Sequence, residues 1–473
     1  MIVRNREYMQ EPVPLEMLNS VLAEYQKGKE RRKRLEKAYN NDRDILQRAR
    51  PEGKPNNRLA HGFPRYIVTM ASGYLLGGPV TYRSDDQAEQ LQQVMDAYNA
   101  SDMASVDIEL ARQASIYGKS VEMTYADEDA QPCSAALDPK AAFVVYDDTV
   151  AHKPMFGVTY SVRTKVDGTM DGYKIVVCTD QTIYTYFENS LFITHEPDTA
   201  EQHYFGAVPI VEFWNDENEK GDFEQVETLI DAYDTLESDR INDKEQFVDS
   251  ILVMTGVRME NEYETVTTHD AQGNVVEEQR ISATPAQQLR RDKLLFLPDS
   301  DAKAEYLSRA MAENDVEVLK DALNQDIHKF SLIPDLTDEN FAANASGVAM
   351  KYKLLGLEQL TKIKEKWFRE ALRQRLRLFC HFLAVKGNVQ VDADKVKMVF
   401  TRALPINELE TAQTLTTYKG LVPDSQLIAQ VPFVDDPDQA AKDMLEQKAN
   451  EAEIQRRAFG GYNDVSQAAD ELQ

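Results

Sequence analysis

The sequence has little cysteine and none of the short motifs that mark common enzyme active sites. Its three cysteines, Cys133, Cys178 and Cys380, lie far apart in 473 residues and form no C-x-x-C pair, which argues against a zinc ribbon and against a disulfide scaffold. P-loop, nucleophile-elbow, zinc-protease and EF-hand patterns are also absent. His195 and His203, the closest histidines, make only a weak candidate metal site. We therefore expect a protein that is not an enzyme and that needs no metal or cofactor.

A hydrophobic run suited to crossing a bilayer is missing as well. The longest uncharged stretch, residues 66–82, has 17 residues, which is the lower limit for a membrane span. It contains Gly73 and the Gly77-Gly78-Pro79 break, which would leave backbone groups unpaired in lipid. The first residues include charged side chains and no apolar core of a signal peptide. We expect no secretion signal and no membrane partner.

The chain also has fewer positively than negatively charged residues. Lysine and arginine number 53 against 80 aspartates and glutamates, a net charge of −27. A protein that coats DNA normally carries the opposite sign, because neutralising phosphates supplies much of its affinity. Acid concentrates in residues 216–240 and 405–473, each with a balance of −8, whereas residues 351–377 carry +6. The charge excludes general DNA coating but not a protein that encloses DNA without gripping it.

A short basic run near the start of the chain has two interpretations. Residues 27–37 contain seven lysines and arginines. They could form a solvated helix face balanced by Glu24, Glu30 and Glu36, or they could contact an acidic neighbour or nucleic acid. The sequence leaves both open.

The spacing of apolar residues predicts an α+β fold. Helical spacing covers residues 14–50, 59–76 and 87–117, and alternating patterns with turn signals predict an antiparallel sheet over 120–213. Helix is predicted again for 221–254, 313–330, 347–385 and, with breaks, 405–458. Between these, residues 263–268 and 275–281 read as a β-hairpin, residues 294–297 as a short strand, and residues 389–401 as a strand that could rejoin the sheet.

Several segments, in this order along the chain, resemble one family. They are GAVPIVEF at 206–213, GDFE at 221–224, LIDAY at 229–233, LVMTG at 252–256, NFAANASGVA at 340–349 and PFVDDP at 432–437. The ordered set resembles the portal proteins of tailed double-stranded DNA phages, specifically the siphophage type common in phages of Gram-positive bacteria. One departure is Trp214-Asn215-Asp216, where the family tends to have paired asparagines.

The resemblance implies a mainly helical, elongated subunit with an antiparallel sheet in its wing. Its parts would be a wing at 1–220, a first stem helix at 221–256, a small α/β clip at 257–304, a second stem helix at 305–334, a tunnel loop at 335–346, a long wing helix with a returning strand at 347–404, and a crown with a C-terminal tail at 405–473.

The resemblance also implies a function. About twelve copies would form a ring at one capsid vertex, which would be the channel for DNA packaging and ejection. The partners would be other copies of the chain, double-stranded DNA without sequence specificity, the large terminase, major capsid and scaffolding proteins, and head-completion or adaptor proteins. The protein would assemble in the host cytoplasm and reside in the virion. Two alternatives stay open: a virion scaffold or adaptor without a channel, and an acidic metal-dependent nuclease.

Four sets of site residues follow from this assignment. The tunnel loop would face DNA with Asn340, Phe341, Asn344 and Ser346. The clip would dock the terminase or an adaptor with Arg258, Arg280, Arg290, Arg291 and Lys293. The acidic stem would carry Asp231, Asp234, Glu237 and Asp239. Candidates for the subunit interface are Lys362, Lys366, Arg369 and Arg373.

Overall fold

The computed structural model has an α+β fold, as the sequence predicts. The structure describes residues 1–51, 54–248, 251–255, 261–269, 275–284, 287, 303–307, 313–336, 352–387, 389–402, 408–428, 431, 434, 440–452 and 454. These residues divide into two compact units. The first contains residues 1–40, 62–226 and 328–473, and the second contains residues 41–61 and 227–327.

The helices, numbered along the chain, occupy both units. They are α1 (Leu15–Gln26), α2 (Lys29–Tyr39), α3 (Phe63–Leu75), α4 (Ala88–Ala100), α5 (Met103–Tyr117), α6 (Glu227–Val248), α7 (Glu313–Ser331), α8 (Leu355–Gly387), α9 (Glu408–Tyr418), α10 (Asp424–Ile428) and α11 (440–452). With 33 residues, α8 is about 50 Å long.

Two sheets make up most of the β-structure of the first unit. One has six strands in the order β1 (Ile2–Arg4), β5 (Ala142–Asp147), β6 (Pro154–Thr164), β7 (Met170–Cys178), β8 (Thr182–Glu188) and β9 (Thr199–Gln202). The other has the order β10 (Ile210–Trp214), β3 (Lys119–Ala126) and β4 (Pro132–Leu137). Strand β1 pairs with β5 in parallel, whereas the other strand pairs of these two sheets are antiparallel. Strands β3 to β10 all lie between residues 119 and 214, which confirms the predicted sheet region.

Apolar stripes on two helices form the core of the first unit. Leu18, Val21, Leu22 and Tyr25 of α1 are buried against the six-stranded sheet. In a second cluster, α8 packs against α4, α5 and β10; the rings of Phe368 and Phe213 lie 4.9 Å apart there. Each fully buried leucine or phenylalanine contributes roughly 1.5–3 kcal/mol, so α8 is a central element of this unit.

The second unit combines helix α6 and most of helix α7 with two short antiparallel pairs. Strand β11 (Ile251–Thr255) pairs with β14 (Lys303–Leu307). Strand β12 (Glu262–His269) pairs with β13 (Val275–Ala283), which confirms the predicted hairpin. The segment 41–61, from the N-terminal part of the chain, belongs to this unit.

Several predicted boundaries are wrong. The helix expected over 14–50 is two helices separated at Gly28, and the helix expected over 87–117 is broken at Asp102, whose φ is +47°. Helix α6 ends at Val248, and residues 251–255, expected as its last turns, are a strand. The returning strand is short, β15 (Lys397–Val399), and pairs with β2 (Thr81–Arg83) instead of the large sheet. Residues 294–297 lie outside the described residues.

Membrane-spanning character is not found in the part of the chain that the structure describes. None of its helices combines the length and hydropathy that crossing a bilayer requires.

Candidate functional site

The predicted acidic stem residues lie on helix α6, where arginines from segment 41–61 meet them. Arg43 Nη2 donates to Asp231 Oδ1 at 2.5 Å, and Arg43 Nε lies 3.7 Å from Asp234 Oδ2. Asp234 has a side chain that is only 1% exposed, and its Oδ1 also accepts from the backbone N–H of His61 at 2.9 Å. Asp234 therefore holds the segment against the helix from inside the second unit.

A second set of contacts continues the same attachment one turn further along α6. Arg48 Nη1 donates to Asp239 Oδ1 at 2.7 Å, and Arg50 donates to the same oxygen. The backbone N–H of Leu59 donates to Ser238 Oγ at 2.9 Å, and Asn242 is fully buried. The negative charge of α6 is thus partly neutralised within the chain, by residues that the sequence analysis placed in the wing.

Glu237, the remaining predicted acidic residue of α6, pairs with Arg240, which also reaches helix α7. Arg240 lies 3.3 Å from Glu237 on its own helix and 2.7 Å from Glu317 on α7. Because Arg240 bridges two carboxylates, it ties the two long helices of the second unit together.

The four interface candidates line a cleft along α8. The cleft has a volume of about 500 Å³ and is bordered by Lys362, Glu365, Lys366, Arg369, Glu370, Arg373 and Arg402. Two of the candidates are engaged within the chain: Arg369 pairs with Glu365, and Arg373 Nη1 donates to the carbonyls of Ala393 and Asp394 at 3.0 Å.

The other two candidates are more available. Lys362 is 59% exposed, and its Nζ lies 3.8 Å from Glu358. Lys366 is exposed and lies over the ring of Trp367 at 5.1 Å, and no carboxylate of the described residues comes within 4 Å of its Nζ. Of the four candidates, Lys362 and Lys366 therefore offer the more exposed positive charge.

Two cations of α8 point the other way, into the core, which the sequence analysis missed. Arg375 is completely buried: its Nη2 donates to Glu122 Oε2 and its Nη1 to Asp107 Oδ1, both at 2.6 Å. Lys364 is also buried and donates to Ser115 Oγ at 3.0 Å and to Asp222. Both positions lie on the same helical stripe as Phe368, which is the signal that could have identified them.

Burial governs the electrostatics around Arg375. Desolvation raises the pKa of Glu122 and of Asp107, while the nearby guanidinium opposes that shift. Burial alone would lower the pKa of Arg375, but the two carboxylates raise it well above its ordinary value. Because one cation lies between two buried carboxylates, the stability of this cluster depends on all three side chains.

Of the remaining predicted site residues, the structure describes only Arg280. Arg280 lies on β13 opposite Glu264 of β12 and is exposed. The other clip residues, Arg258, Arg290, Arg291 and Lys293, lie outside the described residues. So do the tunnel-loop residues Asn340, Phe341, Asn344 and Ser346.

A metal site is not present among the residues that the structure describes, where no group of three or more potential ligands comes together. The two histidines considered from the sequence interact with backbone carbonyls instead. His195 Nδ1 lies 2.7 Å from the Glu196 oxygen, and His203 Nε2 lies 3.0 Å from the Thr179 oxygen.

Comparison with known proteins places this geometry in a family. Residues 18–453 match the family model described as phage portal protein, SPP1 Gp6-like. The portal protein of Clostridium phage phiCD119 is 24% identical over 455 residues, covering 91% of this chain and 94% of that protein. The portal protein of Bacillus phage SPP1 is 24% identical over 435 residues, covering 88% and 81%. The chain therefore belongs to the SPP1 Gp6-like family of phage portal proteins.

Proposed function

We propose that the chain assembles with copies of itself into a closed ring of about twelve subunits at one capsid vertex, and that DNA is packaged and ejected through this ring. The observation that carries the proposal is the match to the portal family over residues 18–453, nearly the whole chain. Both relatives are portal proteins and align over more than four-fifths of their own length.

The charge distribution supports a conduit rather than a DNA-gripping protein. A channel wall rich in unpaired lysine and arginine would bind phosphate and retain the duplex. The net charge is −27, and Arg43, Arg48 and Arg50 are directed toward carboxylates of α6. These arginines are therefore occupied within the chain, and a DNA backbone passing nearby would compete poorly for them.

The cleft along α8 is the proposed position of one of the two faces that form the subunit interface. A cyclic ring needs two different complementary faces on each subunit. Lys362 and Lys366 offer exposed positive charge for an acidic face of the neighbouring copy. Helix α6 is a weak choice for that opposing face, because Asp231, Asp234 and Asp239 are already paired within their own chain.

Other roles complete the proposal. The clip, with Arg280 on β13, docks the large terminase during packaging and head-completion or adaptor proteins afterwards. Major capsid and scaffolding proteins surround the ring, which is assembled in the host cytoplasm and resides in the virion. Asn340, Phe341, Asn344 and Ser346 of the tunnel loop contact the DNA.

A charge reversal tests the interface. Lys366→Glu should lower the fraction of protein in rings at least about tenfold, because it places negative charge against an acidic neighbour. Lys395→Glu is the matched control: Lys395 is 64% exposed and lies 3.9 Å from Asp392. Equal ring formation by Lys366→Glu and the wild type, measured by size-exclusion chromatography with light scattering, would remove the cleft from the interface.

A deletion tests the channel. Removing residues 341–345 should leave ring formation unchanged and reduce the amount of nuclease-protected DNA per particle. Rings that package and retain DNA normally after this deletion would contradict the role given to the tunnel loop. A scaffold or adaptor without a channel would form no rings at all, and a nuclease would cleave DNA when Mg²⁺ is added.

A further inference from the structure

Arg32 of helix α2 is a buried cation that has no carboxylate partner among the described residues. It is 8% exposed. Its Nη2 donates to the backbone oxygen of Tyr25 at 2.7 Å, and its guanidinium lies 3.9 Å from the centre of the Tyr25 ring. Its Nε is buried and has no hydrogen-bond acceptor in the described part of the chain. Among the described residues, no carboxylate oxygen lies within 4 Å of the guanidinium.

This arrangement is energetically unusual. A buried charge is expensive unless it is paired and hydrogen-bonded, and a cation–π contact with one carbonyl bond offsets only part of that cost. By contrast, the neighbouring Arg31 donates from Nε to Glu224 at 2.7 Å. Arg32 therefore has unused capacity to bind a negative group.

A cavity of about 200 Å³ lies beside Arg32. Its lining includes Glu24, Tyr25, Gly28, Arg31, Lys119 and Glu219. The two carboxylates in this lining are already engaged, Glu24 with Arg4 at 2.7 Å and Glu219 with Lys119 at 3.3 Å.

The dimensions of the cavity limit what it can hold. Pockets for nucleotides and other drug-sized ligands usually have about 300–1,000 Å³, which exceeds this volume. A single tetrahedral oxyanion fits, and the planar fork of an arginine can donate two hydrogen bonds to it.

We propose that this cavity is a binding site for one small oxyanion of the phosphate class, with Arg32 as its principal ligand. Gly28 is part of the site, because a Cβ at this position would lie 2.6 Å from Arg32 Nη1. The site explains one residue of the basic run 27–37 without invoking nucleic acid.

Isothermal titration of the full-length protein with inorganic phosphate tests the proposal, with chloride at the same ionic strength as reference. Arg32→Met should weaken phosphate binding at least about tenfold, since it removes the charge-assisted hydrogen bonds. Lys33→Met is the matched control in the same helix: Lys33 is 48% exposed and outside the cavity lining, so binding should be unchanged.

Gly28→Ala is the second variant. It keeps the charge of Arg32 but displaces the guanidinium, so it should also weaken phosphate binding. If Arg32→Met fails to fold, Gly28→Ala still tests the proposed site. Absence of phosphate binding to the wild type at millimolar concentrations would overturn the proposal. So would equal phosphate affinity of the wild type and a folded Arg32→Met or Gly28→Ala variant.

Discussion

Replacing Arg375 by methionine should destabilise the first unit strongly at neutral pH and less at acidic pH. Arg375 is completely buried between Glu122 and Asp107. Methionine retains much of the apolar stem but leaves two buried carboxylates without their cation. Removing one member of a buried ion pair typically costs about 3–5 kcal/mol, so we expect a loss of that size in the free energy of unfolding at pH 7.

The pH dependence follows from the carboxylates. Burial raises the pKa of Glu122 and Asp107 in the folded wild type, and Arg375 limits the rise. Without Arg375 both folded pKa values increase further. A carboxyl group with a raised folded pKa contributes stability that is present below its unfolded pKa and lost as the pH rises through its folded pKa. The deficit of Arg375→Met should therefore shrink by about 1–3 kcal/mol between pH 7 and pH 5.

Urea unfolding followed by tryptophan fluorescence measures the loss of stability of the first unit, to which Arg375 belongs. The chain has two tryptophans, Trp214 and Trp367, and both belong to the first unit, with rings 5.3 Å apart. Arg377→Met is the matched control, because Arg377 is 49% exposed and pairs with an exposed Asp394; it should cost less than about 1 kcal/mol. A deficit that is equal at pH 7 and pH 5, or no larger than that of the control, would refute the reasoning.

Two further predictions concern single side chains. Asp239→Ala should increase trypsin cleavage after Arg48 severalfold, because it removes one attachment of segment 41–61 to α6. The free energy of unfolding should change by less than about 1 kcal/mol. If mass spectrometry of the tryptic fragments shows unchanged cleavage, this attachment is contradicted. Of the three thiols, only Cys133 should react with a disulfide reagent at pH 8. The reason is that burial raises the pKa of Cys178 and of Cys380 to about 12. Rapid reaction of Cys178 in the folded protein would contradict its burial.

Regular local patterns allowed much of the fold to be predicted. The long helix α8, the helix at 313–331 and the hairpin β12–β13 all follow from periodicity and turn signals that depend on nearby residues. Missing enzyme motifs led to the expectation of a non-enzyme, which agrees with membership of a family of structural phage proteins.

Features that depend on distant partners could not be predicted in this way. The run Ile251–Thr255 becomes a strand because it pairs with β14, far along the chain, and a short apolar run by itself fits helix or strand. The acidity of α6 was visible in the sequence, but nothing in residues 216–240 indicates that Arg43, Arg48 and Arg50 reach it. The stripe position of Arg375 was visible, but its partners come from α5 and β3.

Native mass spectrometry of the purified full-length protein tests the central claim most directly. A closed ring of about twelve subunits of 53.8 kDa predicts one dominant species of roughly 650 kDa. A monomer that persists at high concentration, or an open-ended series of assemblies without a preferred size, would contradict the account of this chain as the subunit of a DNA-conducting ring.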